Sequence, residues 1–217
     1  MNPKILMNAN RFDIAAKTVY GRHYLKGVED SFGEDLYLQH LRVWNNLTEK
    51  EPIKKGHQEF LDSFKNLLDN INKNGFQDNV SKIPIHNSSP LNGAHRIASC
   101  ILLDKDISTY EGELTEGQLV CNYEYLKHKR NFVSSGLDEQ FLDEMALEFC
   151  RVKDNIYTIT LFPSHHFPTD ALIQMIKEKY GIIYHKRIAL TNMGMYNYIH
   201  NLYYGESWIG PKESNYP

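Results

Sequence analysis

The run Leu91-Asn92-Gly93-Ala94-His95-Arg96 puts a glycine, a histidine and an arginine side by side, shortly after an apolar stretch, Ile83-Pro84-Ile85, and a turn at Asn87-Ser88-Ser89. Helical spacing begins beyond Gly93, where Ile97, Ala98, Ile101 and Leu102 can pin a helix to a core. Strand, glycine and helix start together make a phosphate-binding geometry. The first turn of a helix offers unpaired N–H groups and the positive end of the helix dipole, and glycine lets a ligand come close. On this reading the amides of Gly93, Ala94 and His95 cradle a phosphate, and the side chains of His95 and Arg96 add donors.

Other residues with chemical potential lie outside this run. Asp13 and Lys17 are i,i+4 neighbours on a helix expected from Arg11 to about Lys26, read either as a solvated pair or as a carboxylate and an ammonium facing one cleft. Glu34 and Asp35 open the next helix, which runs to about Asn46 and contains His40, read as a structural histidine. His165 and His166 follow a strand expected over 156–162, in a strand-end loop where ligand-binding residues often lie. Lys127-His128-Lys129-Arg130 is a basic run too short to suggest nucleic acid.

These residues need elements to hold them. Glu49 to His57, with Pro52 and Gly56, reads as a loop. Phe60, Leu61, Phe64, Leu67, Leu68 and Ile71 form a single helical stripe, which Gly75 should end in the left-handed conformation with Phe76 folding back. Ile107 to Glu113 reads as a strand, Val120 to Tyr125 as a further short strand of ambiguous period, and Leu137 to Cys150 as an amphipathic helix. Beyond it, 156–162, 170–180, 182–190 and 193–204 alternate strand and helix.

The totals bound the function. With 24 Lys and Arg against 27 Asp and Glu, the 217-residue chain carries a formal charge of -3, unlike the basic footprint of a duplex-binding protein. Its 3 cysteines are scattered, which suits a reducing compartment and speaks against a disulfide framework or a cysteine-rich zinc site. No apolar run reaches membrane-spanning length and the first residues do not read as a signal peptide, so the expected location is cytoplasmic, with no membrane span and no nucleic-acid partner.

The order of Gly75-Phe76, Ile83-Pro84-Ile85, the Asn92–Arg96 motif, Ala98 and Leu102-Leu103 resembles the ParB/sulfiredoxin-like superfamily. There a helix ending in Gly-Phe leads to a Pro-Ile-x-Val strand and then to a D-G-x-H-R motif that opens a helix. Matching elements run from Phe60 to about Glu113. Ala94 stands where sulfiredoxins carry their cysteine, so thiol chemistry is excluded there. The arginine-rich motif and helix-turn-helix of ParB partition proteins are missing as well. The resemblance is closest to the small-molecule kinase branch typified by free-serine kinases.

That branch implies an α+β fold: a ParB/sulfiredoxin-like nucleotide-binding core over 58–130, an N-terminal helical segment over 1–57 and a β-α-β-α extension over 131–217. It also implies a Mg²⁺-dependent kinase that moves a phosphoryl group from ATP or another nucleotide to a hydroxyl of a small metabolite or sugar. Asn92 departs from the family's Asp. It can cap the helix by accepting from an N–H two or three residues on, but it is neither a base nor an anionic metal ligand. The resemblance therefore asks Asp13 or Glu34 for the carboxylate, Lys17 for a phosphate contact, and His165 and His166 for the acceptor side; which residues hold the metal stays open. The segments RFDIAAKTVY and YYGESWIG resemble uncharacterised proteins of bacterial surface-polysaccharide gene clusters. The alternative is a non-catalytic nucleotide-binding regulatory module built on the same cradle.

Overall fold

Helix α1 (Asp13–Leu25) is buried on every residue from Asp13 to Gly21, polar side chains included. A helix enclosed all round has no solvent stripe, so the remaining elements have to cover it. The computed structural model describes residues 1–28, 31–50, 53–80, 82–113, 120–128, 136–153 and 169–180. Among them α1 is followed by α2 (Phe32–Asn45), the short antiparallel strands β1 (Thr48–Lys50) and β2 (Ile53–Lys55), and α3 (Gly56–Asn74). Next come β3 (Ile83–His86), β4 (Ser89–Pro90), α4 (Ala94–Leu102) and β5 (Thr109–Glu111). The last described elements are α5 (Tyr123–His128), α6 (Glu139–Val152) and α7 (Thr169–Tyr180). Mixed helix and strand of this kind make an α+β architecture.

Helices α2, α3, α4 and α6 all pack on α1. Gly21 permits the closest approach of α4, since a Cβ there would lie 2.6 Å from Leu102 Cδ1. Aromatic side chains fill the space between helices: Tyr20 stacks on Tyr37 at 4.9 Å, and Phe12 meets Phe149 at 5.9 Å. Helix α6 is tied down by charge as well. Glu148 is fully buried and takes Arg22 of α1 at 2.5 Å and Arg151 at 3.2 Å. Residues 1–57 and 58–130 thus contribute to one shared core.

In the second sheet of the described residues, β3 lies between β4 and β5, antiparallel to β4 (Ile85 opposite Pro90) and parallel to β5 (Ile83 opposite Thr109). The β3–β4 turn uses positive φ at Asn87 (49°) and Ser88 (61°), the geometry that suits the twist of a tight hairpin. Helix α4 bridges β4 to β5 and so carries the glycine motif at the exit of a hairpin.

Three expectations change. Glu49 to His57 is not a loop throughout: 48–50 pairs with 53–55, and α3 already begins at Gly56. Glu49 and Lys54 are directly opposed and ion-paired at 2.5 Å, so the charges that suggested a loop are a cross-strand pair. Gly75 has positive φ, 73°, as expected of a glycine there, but ψ −177° takes it outside the left-handed helical turn. In 120–125, Cys121 makes a single parallel bridge to Arg11, and the chain becomes helical at Tyr123. The strands expected over 156–162 and 182–190, the helix over 193–204, and His165 and His166 lie outside the described residues. The chain divides into two compact units, Met1–Tyr184 and His185–Pro217, the second wholly outside the described residues.

Candidate phosphate site at the start of helix α4

Gly93 takes the left-handed conformation, φ 85° and ψ 21°, immediately before Ala94. A Cβ on it would fall 2.6 Å from Ile83 Cδ1 and 3.1 Å from Arg96 Nη2, so the guanidinium is folded back over the glycine at the helix entrance. The first ladder bond of α4 runs from the Ile97 N–H to the Gly93 carbonyl at 2.9 Å. The amides of Ala94, His95 and Arg96 therefore stand ahead of the ladder, beside the Arg96 guanidinium. Asn92 does not cap as expected. Its Oδ1 accepts from the adjacent Gly93 N–H at 2.6 Å, which withdraws that amide from the cradle. Gly93→Ala is expected to cost at least about 1–2 kcal/mol from the left-handed backbone alone, with the Ile83 contact adding to it, as a lowered urea midpoint.

Behind this entrance sits a buried charge cluster. Asp13 takes Arg11 Nε at 2.9 Å, Arg11 Nη2 at 3.1 Å and Lys17 Nζ at 3.1 Å, and the three residues are 5%, 3% and 3% exposed. Arg11 Nη1 also donates to the carbonyl of Pro90, the last residue of β4, which couples the cluster to the segment leading into Gly93. The pair read from the sequence is thus neither solvated nor facing an open cleft. Burial alone would raise the Asp13 pKa; the Arg11 and Lys17 charges outweigh it and hold the carboxyl far below its ordinary range. Two cations against one carboxylate leave one net positive charge near the positive end of α4, a field that an anion relieves.

His95 is turned away from the phosphate role expected of its side chain. Its Nε2 is 2.8 Å from the Tyr37 hydroxyl, and its ring stands edge-on to Phe64 with centroids 4.8 Å apart. Desolvation first, then the positive charges of Lys17 and Lys54, push its pKa well below the ordinary 6.5. A neutral imidazole supplies no positive charge to a phosphate.

The pH dependence follows in sign. The unfolded chain protonates His95 near 6.5 and the folded chain does not, so His95 contributes stability above pH 6.5 that is lost as pH falls below it. Asp13, also depressed, adds a second loss below its ordinary 3.8. Melting temperature should fall steadily from pH 7 to 5 and faster below 4; a flat profile from 7 to 5 would contradict a neutral His95.

Glu34 sits in the first turn of α2. Its charge acts on Tyr20, whose phenol burial and then Glu34 hold above the ordinary range. His40 is fully buried on α2. Glu111 and Glu113 flank Gly112 at the end of β5. Gly112 between them packs against Leu91, at 3.0 Å from a Cβ to Leu91 Cδ1, and both acids are exposed, Glu111 paired with His86 at 3.0 Å. The Gly112–Leu91 contact depends on the parallel β3–β5 pairing, which local spacing does not encode.

The chain matches no family model, no curated protein and no solved structure. The chemistry of the site is therefore the ground for function. Among the described residues no group of three or more His, Cys, Asp or Glu gathers to hold a metal, and Asp13 is already engaged by two cations. No helix among them is long and apolar enough to cross a membrane.

Proposed function

We propose that this chain binds the phosphates of a nucleotide such as ATP at the start of α4 and transfers a phosphoryl group to a hydroxyl of a small metabolite or sugar. The observation that carries the reading is the Arg96 guanidinium folded over Gly93 beside three amides ahead of the helix ladder. Phosphoryl transfer asks a protein mainly for positioning and for neutralising charge on the transferred group. Arg96 and the α4 amides would hold the phosphate oxygens, and the net positive Arg11–Asp13–Lys17 cluster would add field from behind. Lys17 would act through that field, since its ammonium is held by Asp13. Magnesium would arrive on the nucleotide phosphates, the usual mode for that ion; the described residues do not fit a protein-built cage. The resemblance to ParB/sulfiredoxin-like kinases, a cytoplasmic setting and a place in surface-polysaccharide synthesis belong to the same proposal.

One observation favours a second reading, a non-catalytic nucleotide-responsive module. Asp13 is engaged by three charge-assisted hydrogen bonds, so that sequence-derived carboxylate is not a ready base. Phosphorus NMR of the protein with Mg²⁺ and ATP, CTP or ADP separates the two when pools of sugars, polyols and hydroxy amino acids are added. Acceptor-dependent phosphate esters support the kinase. Nucleotide binding without any ester supports the module.

A further inference from the structure

Helix α3 carries Ser63, Asn66 and Asn70 along one stripe, and they line an open cavity of about 330 Å³ together with Lys54 of β2, Tyr37 of α2 and His95 of α4. The size is at the small end for ligand sites, which run to about 300–1,000 Å³.

The wall chemistry selects the ligand. Aromatic faces here are already used on one another: Tyr37 is stacked on Tyr20, Phe64 meets Tyr37 and His95, and Lys54 Nζ sits over Phe60 at 5.2 Å. No pair of open rings is left to sandwich a nucleobase among these residues. The polar groups both donate and accept: a serine hydroxyl, two carboxamides, a phenol and a neutral imidazole. The single ammonium is offset by Glu49 at 2.5 Å. A carboxylate or phosphate wants donors and net positive charge; a sugar hydroxyl donates and accepts at once.

We infer that this cavity is a binding site for an uncharged, polyhydroxylated ring, a carbohydrate, with the Tyr37–His95 pair at its inner end reading a hydroxyl. The inference deepens the proposed function by naming the acceptor class. His95 joins the two sites, because its amide belongs to the α4 entrance and its imidazole lines the cavity.

Saturation-transfer difference NMR on the full chain tests it, with methyl glycosides of glucose, galactose and mannose in one arm and adenosine and cytidine in another. Ring-proton signals are expected from at least one glycoside. They should drop about fivefold or more in Asn66→Leu/Asn70→Leu, whose sites are exposed and do not threaten the fold, and also in Ser63→Leu. Absence of glycoside signal, nucleoside signal alone, or glycoside signal unchanged in both variants would overturn it. Arg96→Ala keeps the two proposals apart, since it should leave the glycoside signal intact while nucleotide binding weakens about 10–100-fold. Glycoside binding in a wild-type chain that binds no nucleotide would sink the kinase reading and leave this one standing.

Discussion

Asp13→Ala is expected to lower the unfolding free energy by about 3–5 kcal/mol, because it strands two buried cations, Arg11 and Lys17. Their desolvation is tolerated only while the carboxylate accepts three of their hydrogen bonds. The loss should appear as a shift of the urea midpoint at pH 7 and shrink below pH 4, where the unfolded wild-type chain takes up a proton at Asp13 and the wild type's advantage falls. The informative contrast is the triple replacement Arg11→Met/Asp13→Leu/Lys17→Met. A buried ionic cluster exchanged for apolar side chains of similar volume is often neutral for stability or stabilising. If the cluster also provides the positive field behind α4, the triple variant should fold and yet bind nucleotide more weakly. A triple variant with undiminished nucleotide affinity would reduce the cluster to a structural role.

Arg96→Ala is expected to weaken nucleotide binding about 10–100-fold, the effect of losing charge-assisted hydrogen bonds worth about 1.5–3 kcal/mol. Its guanidinium is only partly buried and lies over Gly93 at the helix entrance, so the fold should survive. Arg96→Lys keeps the charge but not the planar fork, and should recover only part of the affinity. Calorimetric titration with ATP at two salt concentrations reads both effects, and the wild-type advantage should narrow as salt rises. Equal affinities for wild type and Arg96→Ala would remove the guanidinium from the site.

Where the signal was local, the sequence conveyed the structure well. The α3 stripe is buried at Phe60, Leu61, Phe64, Leu68 and Ile71, as 3.6-residue spacing requires. Gly93 precedes a helix, as the motif suggested, and takes the left-handed conformation there. Strands of two to four residues were harder to read: β1 and β2 are charged and exposed, and only their pairing makes them strands. The site divided the same way. The i,i+4 spacing of Asp13 and Lys17 was visible, but not that α1 is enclosed all round, nor that Arg11 completes the cluster from outside the helix. The direction of the His95 ring depends on Tyr37, 58 residues away on another helix. Periodicity indicates which face of a helix is buried; it does not indicate what lies opposite.

The most direct test of the phosphate site is an ¹H–¹⁵N correlation spectrum of the uniformly labelled chain titrated with ATP. The predicted result is that the amides of Ala94, His95 and Arg96 shift first and furthest, saturably, with the Gly93 amide less affected because Asn92 already holds it. Saturable shifts confined to other elements, with the start of α4 unmoved, would contradict the account.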